Sequence, residues 1–288
     1  MHFQLTDDQR ALRTGVRELL EARFGRDDLR SAVDDPVLDR ALWRELGEAG
    51  FFALRLPEAE GGVGLGLPEA VLAFEEAGRV LLPGPLVATQ LAAGSVPGAA
   101  TGETVVTAAD GGLVIWLEEA DEVLGDVTGA VAVRSVDPLT PLHRLPGDGD
   151  DREPDQDAVL LTAAEQAGSA ARTTELAVRY AKEREQFGRP IGGFQAVKHL
   201  CAQMLVRAEL ARTAVYAAAV TADPVEIAGA KLLADEAAVR CARDCLQVHG
   251  GMGFTWEADV HLHLKRAWVR AQLWQSTARA EEALASAL

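Results

Sequence analysis

The sequence predicts a mainly α-helical protein with an N-terminal helical domain, a small, reduced middle β-domain and a C-terminal antiparallel four-helix bundle. Apolar residues recur at helical spacing in residues 1–101. Short β-prone runs separated by Gly, Asp and Pro follow in residues 102–157. Residues 158–288 are dominated by helix formers. We therefore expect the domain boundaries at these two changes of composition.

Three helices are expected in the N-terminal domain. Thr6 followed by Gln9 fits a capping box, in which each side chain bonds the other residue's free backbone N–H. Asp35 followed by Pro36 is a second helix-start signal. A third helix is expected over Pro68–Arg79. The apolar residues at helical spacing in the first two helices are Leu12, Val16, Leu19, Leu20, Phe24, Leu38, Leu42 and Leu46.

The middle region is expected to form a small sheet. Its β-prone runs are Thr104–Thr107, Leu113–Leu117 and Ala130–Arg134, each bounded by residues that favour turns. The acidic stretch Gly147–Asp157 is interpreted as an exposed, mobile loop that leads into the bundle.

Four long helices are expected in the C-terminal domain. The runs Leu160–Glu183, Phe194–Ala222 and Pro224–His249 are each long enough for six or seven turns, at about 3.6 residues per turn. A last helical stretch is expected from Ala258 to Leu288. Because short connections join long helices, neighbouring helices should run antiparallel as a bundle.

Charge and composition exclude several classes of function. Hydrophobic residues make up 48% of the 288 residues, which is enough for a large core. The net charge of −16 repels nucleic acid and anionic membrane surfaces, so neither is an expected partner. No segment approaches the roughly 20 apolar residues of a membrane span, and the N-terminus lacks the apolar core of a secretory signal. A cytoplasmic location is therefore expected.

No metal site is expected. The odd number of cysteines, without a C-x-x-C pattern, argues against a disulfide framework and for a reducing compartment. Cys241 and Cys245 share a helix face but have no histidine at ligand spacing beside them. His261 and His263 are two residues apart on a predicted helix, so they point to different faces.

The run from Arg184 to Ile191, R-E-Q-F-G-R-P-I, is the first segment that suggests chemistry. It lies where one long predicted helix stops, and Phe194 and Gln195 begin the next. The forked guanidinium of Arg184 can clamp a phosphate while the Phe187 ring packs on an organic group. An ordinary helix end with a surface salt bridge would explain the same residues.

The run from Gln247 to Phe254, Q-V-H-G-G-M-G-F, is the second such segment. Its three glycines, Gly250, Gly251 and Gly253, let the backbone turn sharply and approach a ligand closely. A helix C-cap is the alternative, but capping requires only one glycine. The pattern is neither a P-loop nor a dinucleotide fingerprint after a strand.

Together these segments resemble the C-terminal bundle of acyl-CoA dehydrogenases, through R-x-x-F-G-x-x-I-x-x-F-Q from Arg184 and Q-x-x-G-G-x-G-[FY] from Gln247. Four N-terminal runs resemble the family's helical domain: L-G-E-A-G from Leu46, L-P-E from Leu56, G-G-V-G-L from Gly61 and E-E-A-G-R from Glu75. The matches fall in order across both ends of the chain, and their combination is specific although each is weak alone.

The resemblance implies the family's three-domain fold, a tetrameric assembly and an FAD whose ADP half is held by the bundle of a neighbouring subunit. The cofactor-binding residues that it implies are Arg184 at the pyrophosphate, Phe187 and Gln195 along the cofactor, and Gln247, Gly250 and Gly251 on the pyrophosphate and adenosine side.

The chain departs from the family at the catalytic base. Full members have a Glu-Gly-Thr on the last helix, and this Glu removes the α-proton of the acyl-CoA. Here Gln275 stands at that position, and an amide cannot accept the proton. Some relatives place the base on the first bundle helix, where this chain has Ala158. No catalytic residue is therefore expected.

A second departure lies in the middle domain. Nothing between Gly102 and Asp157 matches the family's flavin-facing segment, T-E-P-x-x-G-S-D. This combination resembles the small subunits of heteromeric actinobacterial acyl-CoA dehydrogenases, which pair with a full-length catalytic subunit and act on bulky, often steroid-derived CoA thioesters. We therefore expect a non-catalytic subunit that shares FAD with such a partner, in an α2β2 assembly acting on an acyl-CoA.

Two other interpretations stay open. A self-sufficient dehydrogenase would need an unrecognised base, such as Glu257. A flavin-free structural or regulatory protein would keep only the fold. The flavin content of the chain, purified alone and with its partner, distinguishes the three interpretations.

Overall fold

The computed structural model describes residues 4–147 and 153–287. The predicted mainly α-helical fold is confirmed. The helices are α1 (Asp7–Arg23), α2 (Arg26–Asp34), α3 (Arg40–Glu48), α4 (Leu67–Val80), α5 (Leu86–Ala92), α6 (Gln156–Glu183), α7 (Gln195–Thr221), α8 (Pro224–His249), α9 (Val260–Arg270) and α10 (Thr277–Ser286). The strands are β1 (Val106–Asp110), β2 (Leu113–Ile115), β3 (Glu122–Leu124), β4 (Val131–Val133), β5 (Leu142–Arg144), β6 (Glu185–Gln186) and β7 (Arg189–Pro190). The loop predicted for Gly147–Asp157 lies in part outside the described residues, which omit 148–152.

Two of the predicted N-terminal helix starts are confirmed. The capping box of α1 has both contacts, from the Thr6 N–H to Gln9 Oε1 at 3.0 Å and from the Gln9 N–H to Thr6 Oγ1 at 3.1 Å. Helix α4 covers the predicted Pro68–Arg79. It begins where the Glu69 carboxylate accepts the Gly66 N–H at 3.0 Å.

The helix start predicted at Asp35 and Pro36 is wrong. The α3 helix begins at Arg40, because the Asp39 carboxylate accepts two of the free N–H groups of its first turn at 2.9 and 3.0 Å. Asp35 instead follows the last residue of α2, and its N–H donates to the carbonyl of Ser31 at 2.9 Å. Helix α2 was not predicted from the sequence.

Strands β1 to β5 form one sheet in the order β3-β1-β2-β5-β4. The β1–β3 pair is parallel, and the other neighbouring strands are antiparallel. Strands β1, β2 and β4 overlap the three predicted runs. Strands β3 and β5 were not predicted, because each is short and contains a charged residue, whereas the equally short β2 and β4 are apolar throughout.

Helices α6, α7 and α8 pack together as predicted, but the fourth helical stretch is not continuous. It is divided into α9 and α10 by a turn over residues 271–276. Trp274 in this turn has a φ of 62°, which is incompatible with a right-handed helix. Ser276 then caps α10 by accepting the Arg279 N–H at 3.4 Å. The prediction of one helix from Ala258 to Leu288 is therefore wrong.

Helices α4 and α6 meet in direct backbone contact. A Cβ added at Gly78 would lie 2.0 Å from the carbonyl oxygen of Glu165, and one added at Gly168 would lie 1.9 Å from the carbonyl oxygen of Glu75. No side chain fits at such a distance, so the close approach depends on both glycines. This contact joins the N-terminal helices to the bundle.

Buried ion pairs hold α9 against the elements around it. Arg270 contacts the Glu165 carboxylate at 2.6 Å, and Arg266 pairs with Asp137. Arg266 also donates to two backbone carbonyls at 3.1 and 3.3 Å. All four side chains are buried, so loss of one partner would leave an uncompensated charge, at a cost of about 3–5 kcal/mol.

His263 is a buried histidine on α9. Its Nδ1 lies 2.8 Å from the hydroxyl of Ser169 on α6. Burial, together with the positive charges of Arg172, Arg266 and Arg79, lowers the pKa of His263 to about 3. The imidazole is therefore neutral in the folded protein at pH 7.

We expect Gly168→Ala to lower the free energy of unfolding by about 1–3 kcal/mol or more, because the new methyl group collides with the backbone of α4. Gly15→Ala is the matched control. Gly15 lies on the exposed face of α1 with no atom near its would-be Cβ, so alanine should add about 0.5–1 kcal/mol. Urea unfolding of the three proteins checks this, and similar effects of the two substitutions would contradict the packing assignment.

We also expect the stability to fall with decreasing pH because of His263. Its unfolded-state pKa is near the ordinary value of 6.5, so between pH 6.5 and about 3 the unfolded chain binds a proton that the folded chain does not. For each unit of decreasing pH in this range, protonation of this group in the unfolded chain should lower the free energy of unfolding by up to about 1.4 kcal/mol. In urea titrations from pH 7 to 5, His263→Gln should show a shallower pH dependence than the wild type. Parallel curves would contradict the assignment.

Candidate functional site

The Arg184 segment forms a hairpin, β6–β7, between α6 and α7. The Arg184 N–H donates to the carbonyl of Tyr180, and the Ile191 N–H donates to the carbonyl of Arg184, both at 2.8 Å. Phe187 and Gly188 at the tip have φ values of 55° and 78°, as a two-residue turn of this hand requires. Phe187 is 92% exposed, so the chain holds a large apolar side chain in a strained backbone conformation in solvent.

Helix α7 begins beside this hairpin without a side-chain cap. Phe194 occupies the cap position, with its ring 4.2 Å from the Arg189 guanidinium, and Gln195 is the exposed first residue of the helix. The neighbouring bundle helices α6 and α8 instead start at Asp155 and Asp223, whose carboxylates accept backbone N–H groups. The first N–H groups of α7 are therefore available to an anion.

The glycine loop follows the end of α8, where Gln247 is exposed. Gly250 has φ 59° and ψ −141°, a conformation that requires glycine. A Cβ at Gly253 would lie 2.9 Å from the Leu246 carbonyl oxygen, so this glycine is needed for packing. A Cβ at Gly251 would meet no atom within 4 Å. Backbone conformation requires glycine at Gly250 and packing requires it at Gly253. Neither requires it at Gly251.

The structure brings the hairpin and the glycine loop to the same end of the bundle. The ring of Tyr180, one turn before Arg184, stacks on the His249 imidazole with centroids 4.1 Å apart. His249 Nδ1 donates to the Cys245 carbonyl at 2.8 Å, and burial lowers the pKa of His249, so the ring is neutral. Exposed polar groups, a helix N-terminus and an unobstructed glycine thus share one surface, a combination suited to a phosphate-bearing ligand.

The position that the resemblance assigns to the base lies elsewhere. Gln275 is buried in the turn between α9 and α10, its N–H donates to the Leu273 carbonyl at 2.7 Å, and its Oε1 has no partner among the described residues. The adjacent Trp274 N–H donates to the Asp110 carboxylate of β1. Ala158, at the alternative base position, is fully buried in α6.

A cavity of about 30 Å³ lies between the sheet and α6, and Glu165, Asp110 and Trp274 are among its lining residues. This volume holds about one or two water molecules. Asp110 and Trp274 also line an outer groove of about 310 Å³, so the Trp274 side chain borders both spaces. Near its own base position the chain has thus little enclosed space.

Sequence reasoning missed Glu165, a buried carboxylate in this cavity. Burial raises the pKa of Glu165, its Oε2 contacts Arg270 at 2.6 Å, and its Oε1 has no partner among the described residues. No spacing rule connects residues on α6 and α9, so the pair could be found only from the folded structure. The ion pair with Arg270 makes Glu165 a weak candidate for a base.

Glu257, the other candidate base, is exposed in the loop between the glycines and α9. Its own backbone N–H and the nearby Thr255 side chain lower the pKa of Glu257. A carboxylate with a lowered pKa is a poorer general base.

Two classes of site are not found in the part of the chain that the structure describes. No group of three or more His, Cys, Asp or Glu side chains there is arranged to hold a metal ion. No helix of these residues is both long and apolar enough to cross a membrane.

Comparison with known proteins gives consistent matches. The model of the acyl-CoA dehydrogenase N-terminal domain matches residues 6–103, and that of the acyl-CoA dehydrogenase C-terminal domain matches residues 159–277. Acyl-CoA dehydrogenase IpdE2 of Mycobacterium tuberculosis is 38% identical over an alignment covering 94% of this chain and 94% of that protein. The ChsE4-ChsE5 complex from Mycobacterium tuberculosis contains a chain with TM-score 0.83 and 24% identity, covering 100% of this chain and 98% of that one. The Tcur3481-Tcur3483 steroid ACAD has TM-score 0.84 and 24% identity, covering 97% of each chain.

We expect Gly251→Ala to leave the stability of the chain unchanged, because the added methyl group points into open space. Gly253→Ala should lower it by about 1 kcal/mol or more, because its methyl group overlaps α8. Thermal unfolding of both variants checks this. Equal destabilisation would show that Gly251 also has a packing role.

Proposed function

This chain belongs to the acyl-CoA dehydrogenase family, and we propose that it is a subunit that completes the ADP side of a partner's FAD site without supplying a catalytic base. The observation that carries the proposal is the position of the phosphate-binding groups. They lie at the end of α6, 18 residues beyond Glu165, which is about 27 Å at 1.5 Å per residue. The proposed donors for the dinucleotide are thus far from the small cavity that Glu165 lines, and Arg184 and Gln195 are exposed, as a site shared with a neighbouring subunit would require.

The residues at this end fit the ADP half of FAD. Arg184 supplies a fork of donors for a pyrophosphate, and the free N–H groups of α7 add a second source of positive potential. Gly251 leaves room for a close approach, and the exposed Gln195 and Gln247 add polar contacts. When bound, FAD supplies the hydride acceptor for α,β-desaturation of an acyl-CoA thioester.

The chain's own residues do not supply the proton acceptor that this reaction requires. Gln275 is an amide and Ala158 has no acid group. Glu165 and Asp110, the two carboxylates beside the small cavity, are held by Arg270 and by the Trp274 N–H. We therefore assign the base and the flavin-facing segment to the partner, a full-length acyl-CoA dehydrogenase subunit.

Exposed apolar side chains support association with such a partner. Phe187 projects from the hairpin tip, where insertion into a neighbouring subunit would bury it and offset its backbone strain. Helix α7 also exposes large apolar side chains, namely Leu205, Val206, Leu210 and Val220. An α2β2 assembly would bury both surfaces, and the cytoplasm would keep the three free cysteines reduced.

The proposed substrate is a bulky acyl-CoA thioester derived from a steroid. Support comes from two structural relatives: one is a two-component complex, ChsE4-ChsE5, and the other is described as a steroid ACAD. A role in lipid or steroid catabolism follows from this proposal.

The two alternatives make different use of the same site. A self-sufficient dehydrogenase would need Glu257 as the base, but this side chain is exposed and has a lowered pKa. A flavin-free structural protein could use the exposed Phe187 for association but would have no use for the uncapped α7 N-terminus beside Arg184. We therefore favour the shared FAD site.

Purified alone, the chain should contain no stoichiometric FAD and oxidise no acyl-CoA, because it lacks a base and a flavin-facing segment. Copurified with its full-length partner, it should contain flavin and turn over substrate. Absorbance near the flavin band and a dye-reduction assay measure both. Flavin with turnover in the isolated chain would favour the self-sufficient enzyme, whereas a stable flavin-free complex would favour the structural protein.

In the complex, Arg184→Ala should weaken FAD binding by roughly ten- to a hundredfold, since one charge-assisted contact contributes about 1.5–3 kcal/mol. Arg184→Lys should recover only part of this, because an ammonium cannot form the forked contact. Gly251→Val should weaken binding by filling the space that the phosphate needs. The measurement is the FAD dissociation constant of the reconstituted complex.

Arg134→Ala, an exposed arginine beside β4, is the matched control and should leave FAD binding unchanged. Thermal unfolding of each isolated variant tests that the fold is intact. If the Arg184→Ala complex still forms and binds FAD as the wild type does, the segment has no role in FAD binding. This result would favour the interpretation as a flavin-free structural protein.

A further inference from the structure

A groove of about 340 Å³ lies on the side of α6, distinct from the hairpin and from the cavity beside the sheet. One wall comes from α1 and the start of α2, and the other comes from the second half of α6. Its volume is at the lower end of the range for small-molecule sites, about 300–1,000 Å³. Apolar side chains line part of it, namely Leu20, Phe24, Leu29 and Leu176.

The groove is positively charged although the protein has a net charge of −16. Its charged lining residues are five arginines, Arg17, Arg26, Arg79, Arg172 and Arg179, and three acids, Glu21, Glu76 and Asp259. This lining has an excess of two positive charges, so the local charge is opposite to that of the whole chain.

Two of the acids are already engaged by arginines. Glu76 accepts two hydrogen bonds from Arg17, at 2.8 and 2.6 Å, and also contacts Arg79 at 3.3 Å. Asp259 accepts from Arg26 at 2.6 Å. These pairs form the walls of the groove and leave little negative charge facing its interior.

Arg172 and Arg179 keep unused donors. Among the described residues Arg172 forms an ion pair only with Glu175, at 3.6 Å, which exceeds hydrogen-bond length, and Glu175 is held more closely by Arg79 at 2.7 Å. No carboxylate of the described residues forms an ion pair with Arg179. Burial lowers the pKa of Arg172, the charge of Glu175 offsets part of this, and the charges of Arg79 and Arg179 add to the lowering. One carboxylate, Glu175, thus lies among three arginines, which leaves positive charge for an anion.

We propose that this groove binds a small organic dianion, with its two carboxylate or phosphoryl groups on Arg172 and Arg179 and its carbon skeleton against the apolar wall. The two arginines are seven residues apart on α6, about 10 Å along the axis, so two separate anionic groups match them better than one. A guanidinium binds either oxyanion through its fork of donors. The residues that line this groove do not include Arg184, Gly250 or Gly251.

The test uses the full chain and three ligands at constant ionic strength. Adipate is the dicarboxylate probe, hexanoate is its monoanionic match, and hexane-1,6-diol bis(methyl phosphate), whose two phosphodiesters each carry one negative charge, is the phosphoryl probe. Calorimetric titration should give binding of adipate, of the phosphoryl probe or of both, and at least tenfold weaker binding of hexanoate. The preferred probe identifies the oxyanion.

Arg172→Gln and Arg179→Gln should each weaken dianion binding by roughly tenfold, the loss of one charge-assisted contact. Arg240→Gln is the matched control: this exposed α8 arginine pairs with Glu236 at 2.9 Å, outside the groove, and its loss should change nothing. The proposal is overturned if neither dianion binds, if hexanoate binds as well as they do, or if the groove variants bind like the control. Thermal unfolding verifies that each variant is folded.

Discussion

The close contact of α4 with α6 is the constraint on which the rest of the structure depends. Gly78 and Gly168 bring the two backbones together, and no larger residue fits at either position. The same approach sets Glu165 against Arg270 on α9 and places Arg79 beside Glu175. A single helix, α6, is thereby fixed against the N-terminal helices at its middle and carries the hairpin at its end. The hairpin's outward direction follows from this packing.

Under the proposed function, the chain would combine a retained binding surface with a lost catalytic position. The two positions differ in exposure. Gln275 is buried in a tight turn beside Trp274, whereas Arg184 and Phe187 are exposed on a hairpin. A substitution of Glu by Gln at a buried site removes the proton acceptor while largely keeping volume, so the fold tolerates it. A cofactor site shared between two subunits requires hydrogen-bond donors that are exposed on one chain and can bind a cofactor held by the other.

The fold was largely predictable from sequence because its long helices carry strong local signals. The Thr6 cap and the runs that became α6, α7 and α8 were confirmed, since cap chemistry and length act within a few residues. The helix start predicted at Asp35 is wrong because Asp39 is the residue that caps α3, through two backbone N–H groups. Spacing rules do not predict packing between distant segments of the chain. Three features depend on such packing: the left-handed turn at Trp274, the Glu165–Arg270 pair and the Arg172 groove. The motif residues around Arg184 were found as a pattern, and their function stays a proposal.

The most direct test of a shared FAD site is the structure of the complex with its full-length partner, determined by cryo-electron microscopy with FAD bound. The account predicts that Arg184 and Gly251 lie within contact distance of the pyrophosphate of an FAD whose isoalloxazine ring is held by the partner. An FAD held with its ring in this chain, or an Arg184 that faces solvent in the assembled complex, would contradict it.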